Sequence, residues 1–195
     1  NETFGQMLDT VNIAKLMGVD WNMVQLLTPL PSTEVYSQMV AEGLIKEGSL
    51  NTEGEGFTMF SVRESERQRL QEVKEQGIAK TFSNFLEKNA DIVPTKREMD
   101  DLWFLIDYKV NYENILNNQD RVWLQKKQCF LRDVSQRMSI NNPLSTLFLG
   151  IVENKLGNME EAQHLLNLSH SYLEKSDYWQ KRFEVLDLKD LYDLN

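Results

Sequence analysis

Cysteine is almost missing from this sequence: Cys129 stands alone, which excludes any disulfide within the chain and fits a reducing, cytoplasmic setting. Beside Phe130 and Leu131 in a helical run, it reads as a buried apolar thiol rather than a nucleophile. No apolar run approaches the roughly 18–20 residues of a membrane span, so no membrane partner is expected. Positive charge is scarce, with 21 Lys and Arg against 30 Asp and Glu for a formal net charge of −9. That balance opposes phosphate neutralisation, so no nucleic-acid partner is expected. The densest basic group, Lys126, Lys127, Arg132 and Arg137, reads as a solvated helix face. His164 and His170 share one helix at a spacing that puts them on different faces, which makes a metal pair of them a poor reading. No Gly-rich phosphate loop occurs. Asp100, Asp101 and Asp107 read as stabilisation of a helix start with ordinary solvation. The sequence therefore yields no catalytic residue and no metal ligand.

What is present is a well-patterned globular chain. At 41% hydrophobic and 10% aromatic residues it is too apolar to remain disordered. Thr3 and Gln6 have capping-box spacing; Phe4, Met7, Leu8, Val11 and Ala14 recur at helical spacing, and Gly18 supplies a stop. The run Trp21 to Leu27 reads as a strand, closed by Thr28-Pro29-Leu30-Pro31 because neither proline can donate to a ladder. Ser32 or Thr33 then caps a helix carrying Val35, Tyr36, Met39 and Val40. Helix, strand, proline loop and helix make an α/β unit.

After Gly43 the character changes. The stretch 47–56 holds three glycines and reads as a loop, followed by a short extended piece at Phe57–Phe60. From Arg63 the pattern is helical. Leu102 to Tyr112 is apolar nearly all round, which marks a buried helix at the centre of a second core. Asp120 to Met138 makes another, and Asn142-Pro143 opens a third that ends at Gly157. Gly150, Gly157-Asn158, Ala162 and Leu166 sit where a tetratricopeptide helix pair places its small packing residues. One unit cannot bury its own face, so a hairpin packed on neighbours is expected, without a solenoid.

The opening Asn1-Glu2-Thr3, its helix, and Val24-Gln25-Leu26-Leu27-Thr28-Pro29-Leu30-Pro31-Ser32-Thr33 with Tyr36 behind it resemble the end of the barrel in radical S-adenosylmethionine enzymes. The resemblance is greatest to the group with an N-terminal cobalamin-binding domain, and it covers residues 1–45. Those proteins carry Gly-Phe-Pro-Gly-Glu-Thr after the fifth strand, and a sixth strand ending in Thr-Pro-x-Pro-Gly-Thr. Here the first motif survives as Asn1-Glu2-Thr3, and Ser32 replaces the glycine of the second. The Asp100-Asp101-Leu102-Trp103 helix is similar to the helical tail of some members.

The resemblance implies a fold that is mainly α with a small α/β N-terminal part: residues 1–62 ending a partial (β/α) barrel, and 63–195 forming a helical, tetratricopeptide-like extension. It implies S-adenosylmethionine, a [4Fe–4S] cluster and, in some members, cobalamin as cofactors of an intact parent whose upstream barrel would be this chain's partner. The family's Cys-x-x-x-Cys-x-x-Cys, which holds the cluster through thiolates, would lie upstream of residue 1, and the chain alone is expected to be inactive. Loops after parallel strands build the ligand site in such folds, which puts Gln25, Leu27 and Thr28 where the cofactor's adenosyl part would be lined. The N-terminal segment, with few strand partners, is expected to be far less stable than the helical remainder, with residues 20–28 exchanging their amides quickly. A different reading also stands: a helical protein-interaction module over 63–195 with no catalytic activity.

Overall fold

A computed structural model describes residues 2–24, 30–42, 77–86 and 91–193. Of these residues 78% are helical and none is in a strand. Helix α1 (Phe4–Met17) begins at the expected capping box, in which the Thr3 side chain accepts from the Gln6 N–H and the Gln6 side chain accepts from the Thr3 N–H. It stops at Gly18, whose φ of 61° is the left-handed conformation that glycine adopts without penalty. Helix α2 (Glu34–Ala41) is capped by Thr33, and α3 is described over 77–86. Helix α4 (Lys96–Asp107) opens with a second capping box, Thr95 with Glu98. It continues without a break through a π-helical turn, Tyr108–Tyr112, into α5 (Glu113–Asn117). The same device extends α6 (Arg121–Asp133) through Val134–Met138.

Helices α7 (Pro143–Leu156) and α8 (Met159–Glu174) form an antiparallel hairpin. Asn142 caps α7 by accepting the Leu144 and Ser145 N–H groups, and proline fills the first helical position, where no N–H is needed. The two helices approach closely at Gly150, where a Cβ would lie 3.2 Å from Leu166 Cγ and 3.3 Å from the Ala162 carbonyl oxygen. Helix α9 (Asp177–Val185) and a 3₁₀ turn (Leu188–Asp193) close the chain.

One apolar cluster runs through these elements. Phe4, Met7 and Val11 of α1 join Phe82 and Phe85 of α3, Leu102 and Leu105 of α4, Phe148 and Val152 of α7, and Phe183 of α9. Phe4 meets Phe85 edge to face, and its N–H donates to the Ile92 carbonyl. On the far side of α1, Ile13, Leu16 and Met17 are exposed. Among the described residues no helix is long and apolar enough to cross a membrane.

The strand expected at 21–27 is not formed over its described residues, 21–24. Trp21–Val24 pair with no described strand; the Asn22 N–H and carbonyl and the Val24 carbonyl are bonded instead by side chains of the long helical run. Gln25–Pro29, the extended piece at Phe57–Phe60 and the boundary at 62/63 lie outside the described residues. Cys129 is exposed rather than buried, because Leu124, Lys127 and Leu131 occupy the inward face of α6.

Candidate functional site

The π-helical turn fixes the first half of the site. There the Glu113 N–H reaches back to the Tyr108 carbonyl, one residue further than in an α-helix, and such turns recur at functional positions. Asn111, in the middle of it, is fully buried. Its side-chain oxygen accepts the Asn22 N–H at 2.7 Å, and its Nδ2 donates to the Asn22 carbonyl at 2.8 Å. An amide side chain thus does for Asn22 what a neighbouring strand's peptide group would do. Two residues on, the Val24 carbonyl accepts the indole N–H of Trp103 at 2.9 Å.

Trp21 is held beside this contact by aromatic rings and one ammonium group. Its ring meets Tyr112 edge to face at 5.5 Å and stacks on Phe130 at 6.2 Å. The Lys127 ammonium lies 5.4 Å from the Trp21 ring centre and 5.1 Å from that of Trp123, and donates to the Asn111 carbonyl. Aromatic faces attract a cation whose water has been removed. Lys127 is therefore buried, against the solvated face its basic neighbourhood suggests. Lys126 does conform, being exposed and ion-paired to Asp20 at 3.6 Å.

The charges here are shifted from their ordinary values. Burial pushes the Asp107 carboxyl up to about 6, opposed by the hydrogen bond from Asn111 Nδ2 and by the Lys127 charge. Burial pulls Lys127 down to about 8, opposed by Asp20 and Asp107. Burial and the nearby Asp107 hold the Tyr112 hydroxyl well above its usual range. Asp107 is half-buried against Asn111. Asp101 likewise pairs with the buried Arg182, so ordinary solvation does not describe either residue.

The second half lies downstream of the undescribed stretch. Leu30–Thr33 form a tight turn in which the Thr33 N–H donates to the Leu30 carbonyl at 3.2 Å. Pro31 takes its second position and Ser32, at φ 69°, its third. A positive φ at that position is the mark of a type II turn, which favours glycine there. Thr33 Oγ1 then donates to the Leu30 carbonyl and accepts the Tyr36 N–H, joining turn to helix.

Gln25, Leu27 and Thr28 lie outside the described residues. Their flanks do not: one end is clasped by Asn111 and Trp103, and the other is fixed by the proline turn. Sequence reasoning missed Asn111 and Lys127, since a lone Asn in an apolar helix and a Lys in a basic run carry no distinguishing spacing. It also missed Glu153, a carboxylate with no exposed side-chain surface. Gln128 Nε2, Arg132 Nη2 and Asn158 Nδ2 all donate to it at 2.7–2.8 Å.

The residues present do not fit an iron–sulfur cluster, because one cysteine cannot supply its thiolate ligands. No three His, Cys, Asp or Glu side chains converge among the described residues. Compared with protein families, curated proteins and solved structures, the chain matches none.

Proposed function

We propose that this chain is the C-terminal part of a radical S-adenosylmethionine enzyme, possessing in some forms of the parent a cobalamin domain, with residues 25–28 against the adenosyl part of the cofactor. The observation that carries the reading is the backbone at Ser32. The family pattern Thr-Pro-x-Pro-Gly-Thr puts glycine at this position, and here Ser32 takes the left-handed φ of 69° that glycine favours. The turn the motif calls for is kept although its glycine is not. Further support comes from α1, which begins at Thr3 of the remnant Asn1-Glu2-Thr3 and presents Ile13, Leu16 and Met17 on its outer side, where the parent's barrel would pack. The cluster and the reductive cleavage of S-adenosylmethionine would belong to the parent's upstream thiolates.

The intact gene product, purified without oxygen, is expected to hold a [4Fe–4S] cluster and to release 5′-deoxyadenosine from S-adenosylmethionine under a strong reductant. An intact protein with neither a three-cysteine motif nor iron would sink the proposal. The exposed side chains of Met138 and Ile140, two residues apart ahead of α7, favour a second reading, a helical protein-interaction module over 63–195, since exposed apolar side chains suit a partner surface. That reading expects no iron in the intact protein and loss of a protein partner on Met138→Glu.

A further inference from the structure

Trp21–Val24 are neither helix nor strand, yet the helical body holds them as a receptor holds a peptide. We propose that the face carrying Trp103, Asn111, Tyr112, Trp123, Lys127 and Phe130 is a groove for an extended peptide segment anchored by a tryptophan, and that Trp21–Val24 fill it in cis as a releasable occupant. The groove consists of described residues of the helical part alone. It goes beyond the enzyme reading and does not depend on it.

Three observations carry the proposal. The segment is gripped by its backbone: Asn111 accepts the Asn22 N–H at 2.7 Å and donates to the Asn22 carbonyl at 2.8 Å, and the Trp103 indole N–H donates to the Val24 carbonyl at 2.9 Å. Such contacts take an extended chain whatever side chains it bears, and pockets then supply the selectivity. The clasping amide is oriented for the task, because Asn111 Nδ2 also donates to Asp107 Oδ1 at 2.8 Å.

Selectivity is concentrated at Trp21. Its ring meets Tyr112 and stacks on Phe130, and the Lys127 ammonium lies over both the Trp21 and the Trp123 rings. A tryptophan seated among aromatic groups is among the strongest anchors of a binding interface. The ion pair of Lys126 with Asp20 favours an acidic residue just before the anchor, whereas Met23 is 73% exposed and selects nothing.

The seat also favours release. Lys127 is 1% exposed beneath its aromatic cover, and burial pulls it down to about 8. When the Trp21 ring leaves, water returns to the ammonium and offsets part of the lost contact.

In the unaltered chain, the Asn22 amide should exchange its hydrogen at least about 100-fold faster than the core amides of α4 and α7, through local release without unfolding. An Asn22 amide that exchanges only together with those core amides makes the segment a fixed part of the fold and overturns the proposal. Trp21→Ala should empty the groove. A fluorescent peptide with the sequence of residues 19–24 should then bind the full chain at least about tenfold more tightly than it binds the unaltered protein, where the tethered segment competes at an effective concentration on the order of millimolar. The peptide with alanine in place of its tryptophan should not bind, and adding Asn111→Asp to Trp21→Ala should weaken peptide binding about tenfold. Equal binding to both proteins, or equal binding of the alanine peptide, overturns the groove. Should Trp21→Ala fail to fold, the unaltered chain decides: saturating peptide should speed exchange of the Asn22 amide several-fold by holding the segment off, and an unchanged rate overturns the proposal. The iron content of the intact protein bears on the enzyme reading alone, so the two fail separately.

Discussion

Removing the Glu153 carboxylate should cost this protein more than any comparable change at its surface. Glu153 has no exposed side-chain area and binds three donors: Gln128 and Arg132 from α6, and Asn158 from the turn into α8. It thus ties three consecutive helices at one point. Burial alone would push its carboxyl up, but Asn158, Gln128 and Arg132 outweigh that and hold it below the usual carboxylate range. Glu153→Ala leaves a cavity and strands the Gln128 and Asn158 amides, while Arg132, half exposed, can turn to water. Breaking a buried charged contact from one side costs about 3–5 kcal/mol, and the escape of Arg132 favours the lower end. For a chain of this size each kcal/mol moves the melting point by about 2–4 °C, so a fall of roughly 10 °C is expected. Arg132→Ala should cost only about 1 kcal/mol, because its charge is largely solvated already. The sign of the pH effect follows from the depressed folded value. The stabilisation is present above the unfolded carboxyl's pKa of about 4.3 and is lost as pH falls through the folded one. Urea unfolding followed by circular dichroism at pH 7 and pH 3.5 measures both effects. A loss under about 1 kcal/mol for Glu153→Ala at pH 7 would show that the network is solvated and the reasoning wrong.

Other expectations are equally open to test. Lys127 titrates at about 8 when folded and at about 10.4 when unfolded, so between these values the unfolded chain binds more protons and stability should rise with pH. Lys127→Met should flatten that rise between pH 8 and 9.5, leaving the part that Lys155, also lowered by burial, contributes; this lies below the range where the buried Tyr108 and Tyr192 hydroxyls, pushed up to about 12, act in the opposite sense, and matching slopes for both proteins would contradict the assignment. Gly150→Ala gains about 1 kcal/mol of helix propensity. Its new Cβ, however, meets buried Leu166 at 3.2 Å and a backbone carbonyl at 3.3 Å, so overpacking should win by about 1 kcal/mol in urea unfolding, and a stabilised variant would refute the close approach. At Ser32, glycine should be tolerated at no loss in melting temperature, whereas valine, β-branched at a positive φ, should lower stability by about 1–2 kcal/mol; a silent Ser32→Val would argue against the left-handed turn.

Where one residue type does one physical job, the sequence was legible. Thr3 with Gln6, Gly18, Thr33, Asn142-Pro143 and Gly157 mark helix ends through hydrogen-bonding capacity or backbone freedom, and each stands where its chemistry requires. The buried run from Leu102 to Tyr112 could be read from its apolar breadth, although Trp103 and Ile106 are only half buried. The strand at 21–27 was misread over its described part because a short apolar run carries no periodicity of its own. Its backbone partner proved to be a side chain nearly ninety residues away, which no local pattern encodes. Glu153 and Lys127 were illegible for a related reason. A charge in an amphipathic helix announces a solvated face unless its partners are known, and those partners come from other helices.

The π-helical turn at Tyr108–Tyr112 has one more consequence. A wide turn admits one residue beyond the α-helical count, and each residue advances an α-helix by roughly 100°. Side chains before the turn and after it therefore look in different directions from one unbroken rod. Before it, Asp101 and Phe104 address Arg182 and Trp179 of the closing helix. At its last residue Tyr112 addresses Phe148, and after it the Leu116 carbonyl receives the Lys155 ammonium, both from the hairpin. Deleting one residue within the turn would restore a regular α-helix and swing every later side chain back by that angle. The chain length would hardly alter, but Asn111's contacts and the α7 interface would be lost together, so the turn works as the molecule's phase setting.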